Sequence, residues 1–270
     1  MKTLYVSDLD GTLLRSNETT SEYTNNVINK LTAAGTMFTY ATARSFTTSK
    51  KVTKGIDAKI PLIIYNGAFI IDNVTEEILF SNYFNEDIME LFSDLLKNEI
   101  YPIVYSYIDG IEKFSFIEDK CTRGMKTFIN SRKGDKRTNP VTDKSKLIKG
   151  KAFYIVCIDE PEKLKPLYEK YKDAYYCVYH QDIYSKEQWL EIMPLTVSKA
   201  SAIKQLREYY KCDRLVVFDD GKNDMDMFKM ADECYAVENG IKELKEIATG
   251  IIQSNNEDGV AKWLEANIHY

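Results

Sequence analysis

The chain has 270 residues, a formal charge of −5 and a pI near 5.3. That length supplies one large domain or two moderate ones with ample core, and the acidic balance argues against a nucleic-acid-binding surface, which needs a basic face. Five dispersed cysteines (Cys121, Cys157, Cys177, Cys212 and Cys234) include no close pair of the zinc-site or redox kind, and no apolar stretch approaches transmembrane length. Free thiols in a reducing compartment and a soluble, cytoplasmic protein are expected, the more so because Asp8 and Asp10 interrupt the N-terminal apolar run before it could serve as a signal peptide.

The run Leu4-Tyr5-Val6 predicts a strand that ends at Asp8-Leu9-Asp10-Gly11-Thr12. Side chains two apart on a strand share a face, so Asp8 and Asp10 are expected to project together while Gly11 lets the backbone turn behind them. Adjacent carboxylates repel unless a cation or a shared proton intervenes. The arrangement suits a divalent metal, with one carboxylate as nucleophile and the other as proton carrier. A calcium loop does not fit, because the glycine follows the second aspartate and a strand precedes the motif.

Ser21 to Ala34 reads as a helix with Tyr23, Val27, Leu31 and Ala34 on one face, Thr20 or Ser21 as cap and Gly35 at its end. Strands follow at Met37–Ala41 and Pro61–Tyr65. Strands alternating with amphipathic helices predict an α/β fold with a parallel sheet, whose ligand sites gather at the carboxyl ends of the strands.

From about Tyr83 to Lys186 a helical pattern at Asp87–Lys97 accompanies tyrosine-rich strands at Tyr101–Tyr105, Phe153–Ile158 and Tyr175–Tyr179. This stretch, 83–186, is expected to form a separate α+β domain inserted between core segments 1–82 and 187–270, and to act as a lid. Its basic cluster, Arg132 to Arg137, reads as a solvated loop. The α/β pattern resumes with a helix at Lys199–Tyr209 capped by Ser198, a strand at Leu215–Phe218, a helical pattern from Met225, and strands at Tyr235–Val237 and Ile251-Ile252.

The strand at Leu215 runs into a second acidic cluster, Asp219-Asp220-Gly221-Lys222-Asn223-Asp224. Asn223 and Asp224 fall at a helix N-terminus, where backbone N–H groups favour anions; simple capping by Asp219 or Asp224 is the alternative. Lys199 occupies a first helical position, where a cation opposes the macrodipole by ~0.3–1 kcal/mol. Alone it would swing into water; beside two carboxylate clusters, a bound phosphate is the better reading. His180 and His269 are the only histidines, so a Ser-His-Asp mechanism has little to work with, and Gly221-Lys222-Asn223 lacks the surroundings of a Walker loop.

These motifs together resemble the haloacid dehalogenase (HAD) superfamily, specifically its Cof-type phosphatases of subclass IIB with a C2-type cap. Asp8-Leu9-Asp10-Gly11-Thr12-Leu13-Leu14 matches the first family motif, Ala41-Thr42-Ala43-Arg44 the second, Lys199 the third and Asp220-Gly221-Lys222-Asn223-Asp224 the fourth. Supporting similarities are Tyr65-Asn66-Gly67-Ala68, Leu190-Glu191-Ile192-Met193-Pro194 and Asn256-Glu257-Asp258-Gly259-Val260-Ala261. The family usually has glycine where this chain has Ala43 and Asp219; Asp219 either adds negative charge near the metal or caps a helix, and capping is the expected role.

The resemblance implies a Rossmann-like HAD core with a parallel sheet and an inserted α+β cap. It implies Mg²⁺-dependent hydrolysis of small phosphomonoesters, sugar phosphates foremost, with Asp8 as nucleophile and Asp10 as proton carrier. Asp8, the backbone carbonyl of Asp10, Asp220 and Asp224 would hold the metal. Leu9, Thr42, Ala43, Lys199 and Asn223 would hold the phosphoryl group, with Arg44 and Asn66 as substrate contacts. A sugar phosphomutase, or a non-catalytic phosphate sensor, are the alternatives. The expected partner is a small phosphorylated metabolite, with neither nucleic acid nor membrane.

Overall fold

In the computed structural model, residues 2–57, 59–181, 186–221 and 225–268 are described. The first strand, β1 (Thr3–Asp8), buries Leu4 and Val6 completely. The helix α1 (Glu22–Ala33) begins where the Ser21 side chain accepts a hydrogen bond from Thr24 N (2.9 Å), and Gly35 leaves it with φ +96°. Its buried stripe is Thr24, Val27, Ile28 and Leu31, the i, i+3, i+4, i+7 pattern of one helix face. Tyr23 and Ala34, expected on that stripe, lie outside it; Tyr23 instead donates to Glu265 Oε2 (2.6 Å).

Next come β2 (Met37–Ala41), α2 (Phe46–Val52), β3 (Pro61–Ile64), β4 (Phe69–Asp72) and β5 (Ile78–Ser81). Tyr65, expected to prolong β3, turns away from it, with Tyr65, Asn66 and Gly67 at φ +50°, +54° and +97°. Three successive left-handed residues end a strand abruptly.

The chain divides into two compact units, Met1–Ser81 with Ser198–Tyr270, and Asn82–Val197. The second unit contains α3 (Ile88–Lys97), β6 (Ile103–Ile108), β7 (Ile111–Phe116), α4 (Arg123–Asn130), β8 (Thr138–Pro140), β9 (Lys151–Asp159), α5 (Pro161–Tyr171), β10 (Tyr175–Gln181) and β11 (Gln188–Pro194). Its sheet runs β10-β11-β9-β6-β7-β8 and is antiparallel except for the β7–β8 pair. Leu91, Phe92 and Leu95 of α3 and Leu164 and Leu167 of α5 share a core with Ile155, Cys157, Leu190 and Ile192 of the sheet.

Because β11 pairs with both β10 and β9, residues 187–197 belong to this unit and not to the core segment drawn from 187. The basic cluster is not a freely solvated loop either. Arg137 is half-buried and pairs with Glu112 (2.8 Å) and Asp135 (2.6 Å), and the Arg132 guanidinium lies 3.5 Å from the Phe128 ring centroid.

The first unit resumes with α6 (Lys199–Tyr210), β12 (Arg214–Asp219), α7 (Met225–Met230), β13 (Glu233–Val237), α8 (Lys242–Ile247), β14 (Gly250–Ile252) and α9 (Gly259–Asn267). Its sheet runs β14-β13-β12-β1-β2-β3-β4-β5, parallel from β14 to β3 and antiparallel at β4 and β5. Leu215 to Phe218 are all fully buried, as befits a strand covered on both faces. The chain order reverses across β1, which pairs with β12 on one side and β2 on the other, so the carboxyl end of β1 lies at a topological switch point. Among the described residues, no helix is long and apolar enough to cross a membrane.

Candidate active site

Strand register assembles the site. Ser7 pairs with Phe218, so Asp8 falls beside Asp219; on its other side Asp8 pairs with Ala41, and Thr42 follows. Asp8, Asp219 and Asp220 each offer a carboxylate oxygen within 4.8 Å of the others, and Asp8 and Asp219 are buried. Carboxylates so close repel in a low-dielectric setting. An all-oxygen set of this kind fits a hard divalent cation.

Lys199, the first residue of α6, reaches into the cluster: its Nζ lies 2.5 Å from Asp8 Oδ1, with side-chain exposures of 5% and 7%. Ser198 starts the helix by accepting from Ser201 N (3.0 Å). A Cβ on Gly67 would lie 2.3 Å from Ser198 O, so the loop after β3 approaches the start of α6 this closely only as glycine. The placement of Lys199 therefore depends on both contacts.

After Asp8 the chain makes one wide turn, Leu9 to Leu13, closed by Leu14 N donating to Leu9 O (2.8 Å). Gly11 has φ +84°, and a Cβ there would meet Asp220 Oδ2 at 2.3 Å. Thr12 Oγ1 donates to Asp220 Oδ1 (3.0 Å), tying the turn to the second acidic strand end.

Asp10 is not part of the strand, so strand alternation does not set its direction. The strand stops at Asp8, and Asp10 sits in the turn with φ −82° and ψ 118°. Its carboxylate, 46% exposed, receives Arg44 Nη2 at 2.6 Å and Nε at 2.9 and 3.0 Å. Hydrogen bonding to Asp10 raises the Arg44 pKa further above its ordinary value, and Arg44 also pairs with Glu18 at 3.2 Å.

Thr42 is buried; its Oγ1 accepts from Arg44 N (3.1 Å) and its carbonyl from Asn66 N (2.9 Å). Tyr65 N donates to Arg44 O (3.0 Å), so the loops after β2 and β3 are laced together. Ala43 is exposed and the Leu9 side chain is buried. Asn223 and Asp224 lie outside the described residues.

Asp219 Oδ1 accepts from the N–H groups of Asp220 (2.6 Å) and Gly221 (3.0 Å), closing the turn after β12, and its carboxylate also belongs to the acidic trio. The sequence offered negative charge near a metal only as the alternative to capping for Asp219, and gave Thr12 no role of its own. The signal for Asp219 was its position at a strand end next to an aspartate.

A profile of haloacid dehalogenase-like hydrolases matches residues 5–264. The chain belongs to this family. Relatives of this hydrolase include the 5-amino-6-(5-phospho-D-ribitylamino)uracil phosphatase YitU of Bacillus subtilis, 25% identical over 274 residues that cover 97% of the chain and 96% of the relative. A candidate phosphatase of Haemophilus influenzae is 30% identical over 263 residues, covering 96% and 95%. Among solved structures, TM0651 from Thermotoga maritima superposes with a TM-score of 0.81 at 26% identity, over 100% of the chain and 99% of that protein. A haloacid dehalogenase-like hydrolase from Bacteroides thetaiotaomicron shares the fold at TM-score 0.79 and 20% identity, over 99% and 100%.

A further contact of this hydrolase explains the segment Asn256–Ala261. Asp258 accepts from Arg15 Nε (3.0 Å), Arg15 Nη2 (2.5 Å) and Thr24 Oγ1 (3.2 Å), anchoring the chain just beyond the Leu9–Leu13 turn. Burial works to raise the Asp258 pKa, but these bonds and one from Ser21 outweigh it and hold the carboxyl below the ordinary aspartate value.

Proposed function

We propose that this hydrolase removes phosphate from small phosphomonoesters, sugar or polyol phosphates foremost, through an aspartyl-phosphate on Asp8. The observation that carries the reading is the buried Asp8 carboxylate at a sheet switch point, held by Lys199 and grouped with Asp219 and Asp220. The name of the Bacillus subtilis relative, a phosphatase of a phosphoribityl compound, supports a phosphorylated polyol chain as the substrate class.

In this reading an Asp8 carboxylate oxygen attacks phosphorus while the bond to the ester oxygen breaks, and the departing alkoxide takes a proton from Asp10. Asp10 then accepts a proton from water, whose oxygen attacks the acyl phosphate, releases inorganic phosphate and restores the Asp8 carboxylate. Lys199 neutralises charge on Asp8 and the phosphoryl oxygens; Thr42, the backbone N–H groups of Leu9 and Ala43, and Asn223 hold those oxygens as charge redistributes. Arg44, already on Asp10, and Asn66 are assigned to the substrate. Asp8, Asp219, Asp220, Asp224 and the Asp10 carbonyl would hold Mg²⁺, which when bound supplies the positive charge that lets an anionic carboxylate meet an anionic phosphate.

The test is phosphate release from a panel of sugar phosphates, nucleotides and p-nitrophenyl phosphate, with Mg²⁺ and with EDTA, for wild type and Asp8→Asn. Metal-dependent release that vanishes in the variant is the expected result. No release from any of these esters would defeat the reading.

A further inference from the structure

The turn that follows Asp8 is held from outside by two side-chain amides that lie outside the motifs matched above. Asn239, in the loop after β13, donates from Nδ2 to Gly11 O (2.7 Å) and accepts at Oδ1 from Asn255 N (2.9 Å). Asn255, buried, donates in turn from Nδ2 to Leu14 O (2.8 Å). The two amides thus grip the turn at its middle and at its end. The same loop also holds the second acidic strand end, because Ile241 N donates to Asp220 O (2.9 Å).

Fixing the Gly11 carbonyl fixes the peptide plane that joins Gly11 to Thr12. On one side of that plane lies Asp10 and on the other Thr12, whose hydroxyl reaches Asp220. A glycine at φ +84° has wide torsional freedom of its own, so the restraint must come from its surroundings.

We propose that Asn239 and Asn255 form an amide clamp on the Gly11–Leu14 segment, and that Asn239 is a positioning residue that sets the Asp10 backbone and side chain relative to Asp8. The proposal rests on the phosphatase reading only for its kinetic consequence. Acting through geometry and touching no substrate, Asn239 governs turnover more than binding: misplacing a reacting group by about 1 Å costs on the order of 10²-fold.

The experiment uses the full chain with Mg²⁺ and three proteins: wild type, Asn239→Ala and Asn239→Asp. The aspartate is nearly isosteric and still accepts from Asn255 N, but it cannot donate to Gly11 O. Both variants should lose about 10- to 100-fold in kcat, with KM changed less than about threefold and the fold intact by melting curve. Hydrogen exchange of the Leu9–Ser16 amides should quicken in both. A kcat within twofold of an active wild type in both variants overturns the proposal, as does unchanged exchange in that segment. If Asn239→Ala impairs the enzyme and Asn239→Asp does not, the donor bond is irrelevant and the clamp is again overturned. A wild type that releases no phosphate defeats the phosphatase reading instead; the exchange measurement then decides the clamp alone.

Discussion

Lys199 Nζ lies 2.5 Å from Asp8 Oδ1, a buried ion pair that joins the first residue of α6 to the last residue of β1. Lysine at a helix's first position works against the macrodipole, and a buried carboxylate is costly alone. Each offsets the other's penalty, and the pair places a cation where a phosphoryl group bound to Asp8 would need one.

Removing one partner of this pair should therefore be expensive. Lys199→Ala leaves Asp8 buried among Asp219 and Asp220, and is expected to cost about 3–5 kcal/mol in metal-free protein. Mg²⁺ should return much of that loss, since it neutralises the same carboxylates, while phosphate release stays low. Urea unfolding of wild type and variant in EDTA and in Mg²⁺ checks this; an equal cost in both conditions would mean that the metal sits elsewhere.

The two aspartates should fail differently. Asp8→Asn is expected to lower kcat by roughly 10⁴-fold or more, because the amide cannot form the acyl phosphate. Asp10→Asn removes a proton carrier and should cost about 10²–10⁴-fold. Steady-state rates under saturating Mg²⁺ distinguish them, and a normal rate in either variant would rule out its assigned role.

Gly67→Ala tests the seat of Lys199 from a distance. The new Cβ would collide with Ser198 O, which is backbone, at a residue with φ +97°. The combined strain and overpacking should destabilise by roughly 2–4 kcal/mol and reduce phosphate release in the protein that remains folded. A thermal melt paired with an activity assay below the transition reads both effects. Unchanged activity would show that the start of α6 can shift without moving the lysine.

The Arg15–Asp258 pair predicts an acid limb. The Asp258 pKa is lowered from 3.8 in the fold, so its contribution is present above 3.8 and is lost as pH falls through the folded value. Asp258→Asn should cost about 1–3 kcal/mol at pH 7, the lower part of that range being favoured because Arg15 is partly exposed. The gap between wild type and variant should close below 3.8. Denaturation at pH 7, 5 and 3 measures it; a gap independent of pH would place the stabilisation in the packing of Asp258 and not in its charge.

Much of this site was readable because its signals are local. An apolar run ending in Asp8-Leu9-Asp10-Gly11 marks a strand that stops at a carboxylate, and a lysine after Ser198 stands out against the usual helix-start chemistry. Where local rules were pushed past their element they lost their footing: alternation ends with β1, and the turn and Arg44 set the place of Asp10. The return to the first unit was likewise drawn too early, because pairing decides that β11 belongs with β9 and β10.

Element types, turn glycines and the order of the charged motifs along the chain follow from the sequence alone, since they depend on side-chain periodicity and backbone freedom over a few residues. The acidic trio, the Lys199–Asp8 pair and the grip of Asn239 on Gly11 were decided only by tertiary structure. Their partners are between 191 and 228 residues apart for the lysine and the amide, and only strand register and close packing determine which distant groups come within hydrogen-bonding reach.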